Sequence, residues 1–239
     1  LENRLVLSRA FPNLYNAMNV QRLAPFFSDF RAALAAAADR SDPRICLLTP
    51  GPFSETYFEQ AYLARYLGFL LVEGDDLVVR DGRTYVRTIA GLKRADVIWR
   101  RVDADFVDPL ELNSASRLGV PGLLEAIRAG GAVVSNMPGS GLMESRALLG
   151  FLPALSRRLL GEGLKLPNVA TWWCGQPRER ALVEGRLESL AIARAFGGRG
   201  HEALAGGPRL LSDLSPDDRA SVIQAMHERP VDFVGQEVV

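Results

Sequence analysis

The chain has 239 residues, with 28 Lys+Arg set against 28 Asp+Glu, and 48% of it is hydrophobic. That suits one large or two modest globular domains and excludes intrinsic disorder; with only two cysteines, a disulfide-built secreted scaffold is excluded too. No apolar run approaches the roughly 20 residues that a membrane-crossing helix needs, and a neutral chain lacks the basic excess of a dedicated nucleic-acid binder.

Both ends read like cuts through structure, as in a piece of a longer protein: the chain opens in helix-like sequence and closes on Gln236-Glu237-Val238-Val239. Val20, Leu23, Phe27, Phe30 and Leu34 then recur at helical spacing up to Ala38, until Ser41-Asp42-Pro43 breaks the pattern. Ile45 to Leu48 and Phe69 to Val72 read as buried parallel strands around a helix from Glu55 to Leu67. Asp81-Gly82 between two alternating runs signals a β-hairpin over Leu77–Arg80 and Thr84–Arg87. Val97 to Trp99 and Ala132 to Val134 read as further strands, with Leu118 to Ala129 helical between them and another helix from Met143 to Leu160. Beyond it, Leu187 to Phe196 reads as a strand, His201 to Leu210 as a glycine-bearing loop, Pro216 to Glu228 as a helix and Val231 to Val234 as a closing strand.

Strands alternating with helices predict a parallel, doubly wound α/β sheet with one inserted hairpin, followed by part of an α+β unit. The expected division is a helical segment 1–40, a sheet domain 41–160 and a final partial subdomain 161–239. Ligands of such sheets bind beyond the carboxyl ends of the strands. Three polar loops fall there: Thr49, Gly51, Ser54 and Glu55; Arg100, Arg101 and Asp103; and Asn136, Gly139 and Gly141. Gly51 permits close backbone approach, and Ser54 is placed to cap the following helix. Consecutive arginines leave a strand on opposite faces, so one of Arg100 and Arg101 is expected to clamp a carboxylate or phosphate, with Asp103 orienting it. The bland alternatives are a cap, a strand-end salt bridge and a turn without ligand. No phosphate-loop or dinucleotide fingerprint is completed, which argues against a dinucleotide enzyme. Cys46 and Cys174 are far apart, and His201 and His227 lack partners at ligand spacing, so no metal site and a reducing cytoplasm are expected.

Taken together, Leu1-Glu2-Asn3-Arg4-Leu5-Val6-Leu7-Ser8-Arg9, Leu48 to Pro52, Glu55 to Glu59, Leu63 to Gly68, Leu71 to Leu77, Arg100 to Asp103, Asp108 to Leu110, Leu118 to Leu123, Asn136 to Gly141 and Thr171 to Gly175 resemble the circularly permuted ATP-grasp family, a bacterial group similar to glutathionylspermidine synthase. The resemblance implies a Rossmann-like domain beside part of an ATP-grasp subdomain. It also implies an ATP-dependent carboxylate–amine ligase acting on an amino acid or peptide, with ATP and Mg2+ serving the full-length protein. Gly197 and Gly198 would begin a glycine-rich loop over the phosphates. Gln236, Glu237 and Val239 would belong to the hinge that meets adenine. The family's phosphate-holding lysine falls at Ala193, which leaves Arg194, one residue along and on the opposite face of a regular strand, as the nearest cation. Its metal ligands should precede Leu1, so this piece is not expected to turn over alone. A second expectation follows: a catalytically inactive module of the same fold that holds a peptide or protein partner.

Overall fold

The computed structural model describes residues 2–197 and 200–238. In chain order they form helices α1 (Glu2–Ala10), α2 (Pro12–Ala17) and α3 (Ala24–Ala36), strand β1 (Ile45–Leu48), α4 (Tyr57–Leu67), β2 (Leu70–Val72), β3 (Leu77–Arg80), β4 (Arg83–Thr88), β5 (Gly91–Arg94), β6 (Val97–Arg100), α5 (Leu123–Arg128) and β7 (Val133–Ser135). There follow α6 (Arg146–Leu149), α7 (Leu152–Leu160), β8 (Thr171–Trp173), α8 (Pro177–Glu184), β9 (Leu190–Arg194), β10 (Arg209–Leu210), α9 (Pro216–Glu228) and β11 (Phe233–Glu237). Packing divides them into two compact units, one up to Gly139 and one from Ser140.

The first unit is built on a parallel sheet of order β2-β1-β6-β7. All four β1 residues are buried, as a central strand covered on both faces requires. On one face Leu47 packs with Leu34 of α3 and with Ala64 and Leu67 of α4; Phe27, Phe30 and Trp99 close that layer. On the other, Cys46, Leu48 and Ile98 pack with Leu123 of α5 and with Leu77 and Val86 of an inserted antiparallel meander, β3-β4-β5. Asp81 (φ 50°) and Gly82 (φ 67°) make its first turn in the left-handed region, as the Asp-Gly pair predicts.

Some expectations shift. The strand from Phe69 is an edge strand with Leu70 exposed, not a buried one, because nothing pairs beyond β2. The hairpin gains a third strand, β5, whose residues are mostly exposed and carry no apolar alternation. The helix read from Leu118 begins only at Leu123: a Cβ on Gly74 would lie 2.5 Å from the Leu118 carbonyl oxygen, so residues 118–119 are spent on close backbone packing. The helical segment 1–40 shares its core with the parallel sheet through Phe27, Phe30 and Leu34.

The second unit is an antiparallel sheet of order β10-β9-β11-β8. Ile192 and Phe233 pack with Val222 and Met226 of α9 on one face, while Ala193, Ala195 and Val234 meet Ala147 of α6 on the other. This packing of α6 on β8 and β11 puts the unit boundary at residue 139, ahead of the 160/161 division read from the sequence. The single helix read over Met143 to Leu160 is a 3-10 turn and two short helices, and β8 had no counterpart in the sequence reading. Helix α9 starts where Ser215 Oγ accepts the Asp218 N–H at 3.1 Å, with Pro216 opening the first turn.

Candidate functional site

The ladder of the parallel sheet runs one residue past the strand ends: Thr49 N–H donates to Val72 O at 2.9 Å and Arg101 N–H to Leu48 O at 2.8 Å. Glu73, Thr49 and Arg101 therefore occupy one row across three neighbouring strands, and Asn136 ends the fourth. This is the carboxyl edge on which the sequence reading places its ligand loops.

The side chains there divide into committed and available groups. Thr49 is 1% exposed; its hydroxyl donates to Gln60 Oε1 at 2.6 Å and accepts Gly51 N–H at 3.1 Å, so it shapes the loop instead of presenting itself to a ligand. Gly51 is essential to that shape because its φ of 93° is one that residues with a side chain rarely adopt; the Glu73 carboxylate lies against it, its Oε2 2.9 Å from where a Cβ would stand. Ser54 does not cap α4. The helix begins after Thr56, and Ser54 Oγ lies 3.3 Å from Thr56 Oγ1. Glu55 is exposed on the same loop.

Arg100 and Arg101 part company as strand alternation requires. Arg100 is half-buried: its Nε donates to Asn136 O at 2.6 Å, its Nη1 donates to Val102 O, and Asn136 Nδ2 donates back to Arg100 O at 3.2 Å. Burial lowers the Arg100 pKa from its ordinary value and the neighbouring Asp103 opposes that shift; the guanidinium remains a cation. Asn136 holds φ 60°, the left-handed conformation that Asn tolerates better than most residues. Arg101 is exposed and makes no ion pair among the described residues, and Asp103 is exposed beside it. Gly139 (φ 91°) faces open space, while Gly141 belongs to the second unit.

Two groups escaped the sequence reading of this edge. Glu73, one residue beyond β2, brings a carboxylate against Gly51; its position just after a strand was the available signal. Asp108 is fully buried and accepts backbone N–H bonds from Leu110 (3.0 Å), Gly122 (3.1 Å) and Leu124 (3.0 Å), tying the loop after β6 to the start of α5. A cavity of about 360 Å³ lies elsewhere in this unit, lined by Arg4, Tyr15, Arg22 and Tyr66 among others. Tyr66 is in the last turn of α4, which runs away from the carboxyl edge. The cavity and the charged groups of the carboxyl edge therefore lie in different places.

In the second unit β9 pairs with β11 in unbroken register, Ala193 with Val234 and Arg194 with Phe233, so no bulge re-aims Arg194. Ala193 is fully buried in the apolar layer under α6. Arg194 leaves by the other face, where its Nε donates to His201 O at 2.9 Å and its Nη2 pairs with Glu202 at 3.1 Å. Gly197 lies in a turn with open space around it. Gln236 is buried and donates to Thr171 Oγ1 at 3.0 Å. Strand β11 is interior, its backbone paired with both β8 and β9 through Gln236, while Glu237 is exposed at its end. Backbone groups for an adenine base are thus spoken for up to that point. Gly198 and Val239 lie outside the described residues.

The groups that an ATP-grasp reaction implies can be tested against these residues. Among the described residues no cluster of three or more His, Cys, Asp or Glu is placed to hold a metal ion. The strand position implied for a phosphate-holding lysine is apolar, and the nearest guanidinium is engaged. The described residues do not fit Mg2+ with a polyphosphate, and no catalytic step is derived through them.

All of this chain, residues 1–239, matches the family described as circularly permuted ATP-grasp type 2, and the chain belongs to that family. It is 44% identical over its whole length to an uncharacterised protein of Mycobacterium tuberculosis, covering 26% of that protein. It is 34% identical to one from Synechocystis, covering 49%, and 35% identical to one from Mycobacterium leprae, covering 42%. The chain thus spans between a quarter and a half of the length of these relatives. No helix among the described residues is long and apolar enough to cross a membrane.

Proposed function

We propose that this chain supplies the substrate-holding part of an ATP-dependent carboxylate–amine ligase acting on an amino acid or short peptide. In that reaction class ATP activates a carboxylate as an acyl phosphate. The amine nitrogen then bonds to the acyl carbon, the carbon–oxygen bond to phosphate breaks, and the amine gives up a proton. Membership of the ATP-grasp family supports the reaction class. One observation supports the role of this piece: Glu73 and Arg101 lie in one row of the carboxyl edge of the parallel sheet, on either side of Thr49, with the Arg100–Asn136 pair bracing its far end. Arg101 suits a substrate carboxylate through a two-pronged guanidinium contact, and Glu73 suits an ammonium. Strand spacing separates their Cα atoms by about 10 Å, a span that a zwitterion can bridge between two long side chains. Metal- and phosphate-holding groups belong, in this reading, to the rest of a longer protein.

The test is to incubate the full-length protein with Mg-ATP and a panel of amino acids and dipeptides, following ADP release and amide products by mass spectrometry. One ADP per amide formed is expected; ADP release without any condensed product rejects the ligase.

Ala193 and Arg194 favour a second reading, an ATP-grasp-like module that binds a peptide or protein without nucleotide, because one is walled in by apolar side chains and the other is paired with Glu202. Heat on titrating Mg-ATP into the full-length protein excludes it, and silence at millimolar nucleotide supports it.

A further inference from the structure

The meander β3-β4-β5 has a core face of Leu77, Val79, Thr84 and Val86. Its register puts Val78, Arg80, Arg83, Tyr85, Arg87 and Leu92 on the opposite face. Arg80 and Arg83 face one another directly across the β3–β4 ladder, and Arg87 lies four residues along β4 from Arg83. All three are exposed, and none makes an ion pair or a side-chain hydrogen bond among the described residues. Arg94, on the same face, differs: it is answered by Asp39 and Asp96. Like charges set opposite each other in a ladder are unfavourable, and among the described residues no carboxylate pairs with Arg80, Arg83 or Arg87 to relieve them.

From this arrangement we infer that the outer face of the meander is a docking surface for an acidic polypeptide segment bound in extended form. In an extended chain side chains alternate, so acids four residues apart stand about 13 Å apart on one side, the distance between Arg83 and Arg87 along β4. Half-buried Tyr85 lies between them and offers a flat contact for the intervening side chain. Guanidinium forks match carboxylates in pairs. A nucleic-acid backbone fits less well: the chain is neutral overall, and three free arginines beside one aromatic group make a short patch, not a continuous basic track. This inference does not depend on the ligase reading, since the face lies on the inserted meander and not among the loops of the carboxyl edge.

The experiment titrates the full-length protein with a fluorescent Glu-rich peptide at low and at physiological salt. Two triple variants are compared with the wild type: Arg80→Gln/Arg83→Gln/Arg87→Gln, and Arg157→Gln/Arg158→Gln/Arg178→Gln, which removes the same charge from exposed positions elsewhere. Circular dichroism checks that both remain folded. The expected result is peptide binding that weakens with salt, about tenfold or more weaker in the meander variant and nearly unchanged in the control. Absence of peptide binding, an equal loss in both variants, or tighter binding to single-stranded DNA or phosphatidylserine vesicles overturns it.

Discussion

Consecutive arginines leave β6 on opposite faces, and only Arg100 is tied into the fold, through the carbonyls of Asn136 and Val102. Replacing it with alanine frees two carbonyls and loosens the join between β6 and β7; a loss of about 1–3 kcal/mol in urea unfolding is expected. Arg101→Ala should leave stability within about 0.5 kcal/mol, since the residue is exposed and has no ion pair among the described residues, yet weaken an anionic substrate about tenfold or more. A stability loss in Arg101→Ala as large as that in Arg100→Ala would contradict this division. Glu73→Gln should weaken amino acids while sparing their analogues without an amine, as competition binding with the two ligand types will report. The sequence placed its polar loops at the carboxyl edge of the sheet, where the fold puts Thr49, Arg101 and Asn136, but did not show which side chains were free there. Alternation decides the face of Thr49, Arg100 or Gln236, whereas their availability depends on Gln60, Asn136 and Thr171, which lie 11, 36 and 65 residues away in the chain.

Element by element, β1, α4, the Asp81-Gly82 hairpin and α9 were legible because each carries its own periodicity and punctuation. The missed β5 is held by ladder bonds to β4 with little apolar pattern, and the missed β8 is three residues long. Helix α5 owes its start to Asp108, whose carboxylate accepts the local N–H of Leu110 and also reaches those of Gly122 and Leu124, 14 and 16 residues away, a distance that no local signal spans. Asp108→Ala leaves those donors buried without a partner and should cost about 2–4 kcal/mol in chemical denaturation. A cost under about 1 kcal/mol would show that water replaces the carboxylate. In β9, Ala193→Lys forces a long charged side chain into the layer shared with Ala147, Ala195 and Val234. It should destabilise by about 3 kcal/mol or more, so a gain in nucleotide affinity without loss of stability would mean that this layer opens in the full-length protein.

Across the whole molecule two buried thiols make a pH-dependent contribution. Burial raises both Cys46 and Cys174 from an ordinary 9.0 to about 12, with Arg44 partly offsetting the first and Glu184 adding to the second. Because the folded state holds these protons more tightly than the unfolded state does, the contribution is complete below pH 9 and is lost as pH climbs from about 9 toward 12. Native protein at pH 8 should therefore resist thiol reagents, with both cysteines labelled only on unfolding. Although the chain is neutral, its exposed arginines without an ion pair among the described residues include Arg80, Arg83 and Arg87 on the meander and Arg101 beside Glu73 at the carboxyl edge. That edge is the centre of the account, and calorimetric titration of the full-length protein with the best-binding amino acid or dipeptide of the panel tests it most directly. The account predicts measurable binding in the wild type that falls about tenfold or more in Arg101→Ala; equal affinity for the two proteins would contradict it.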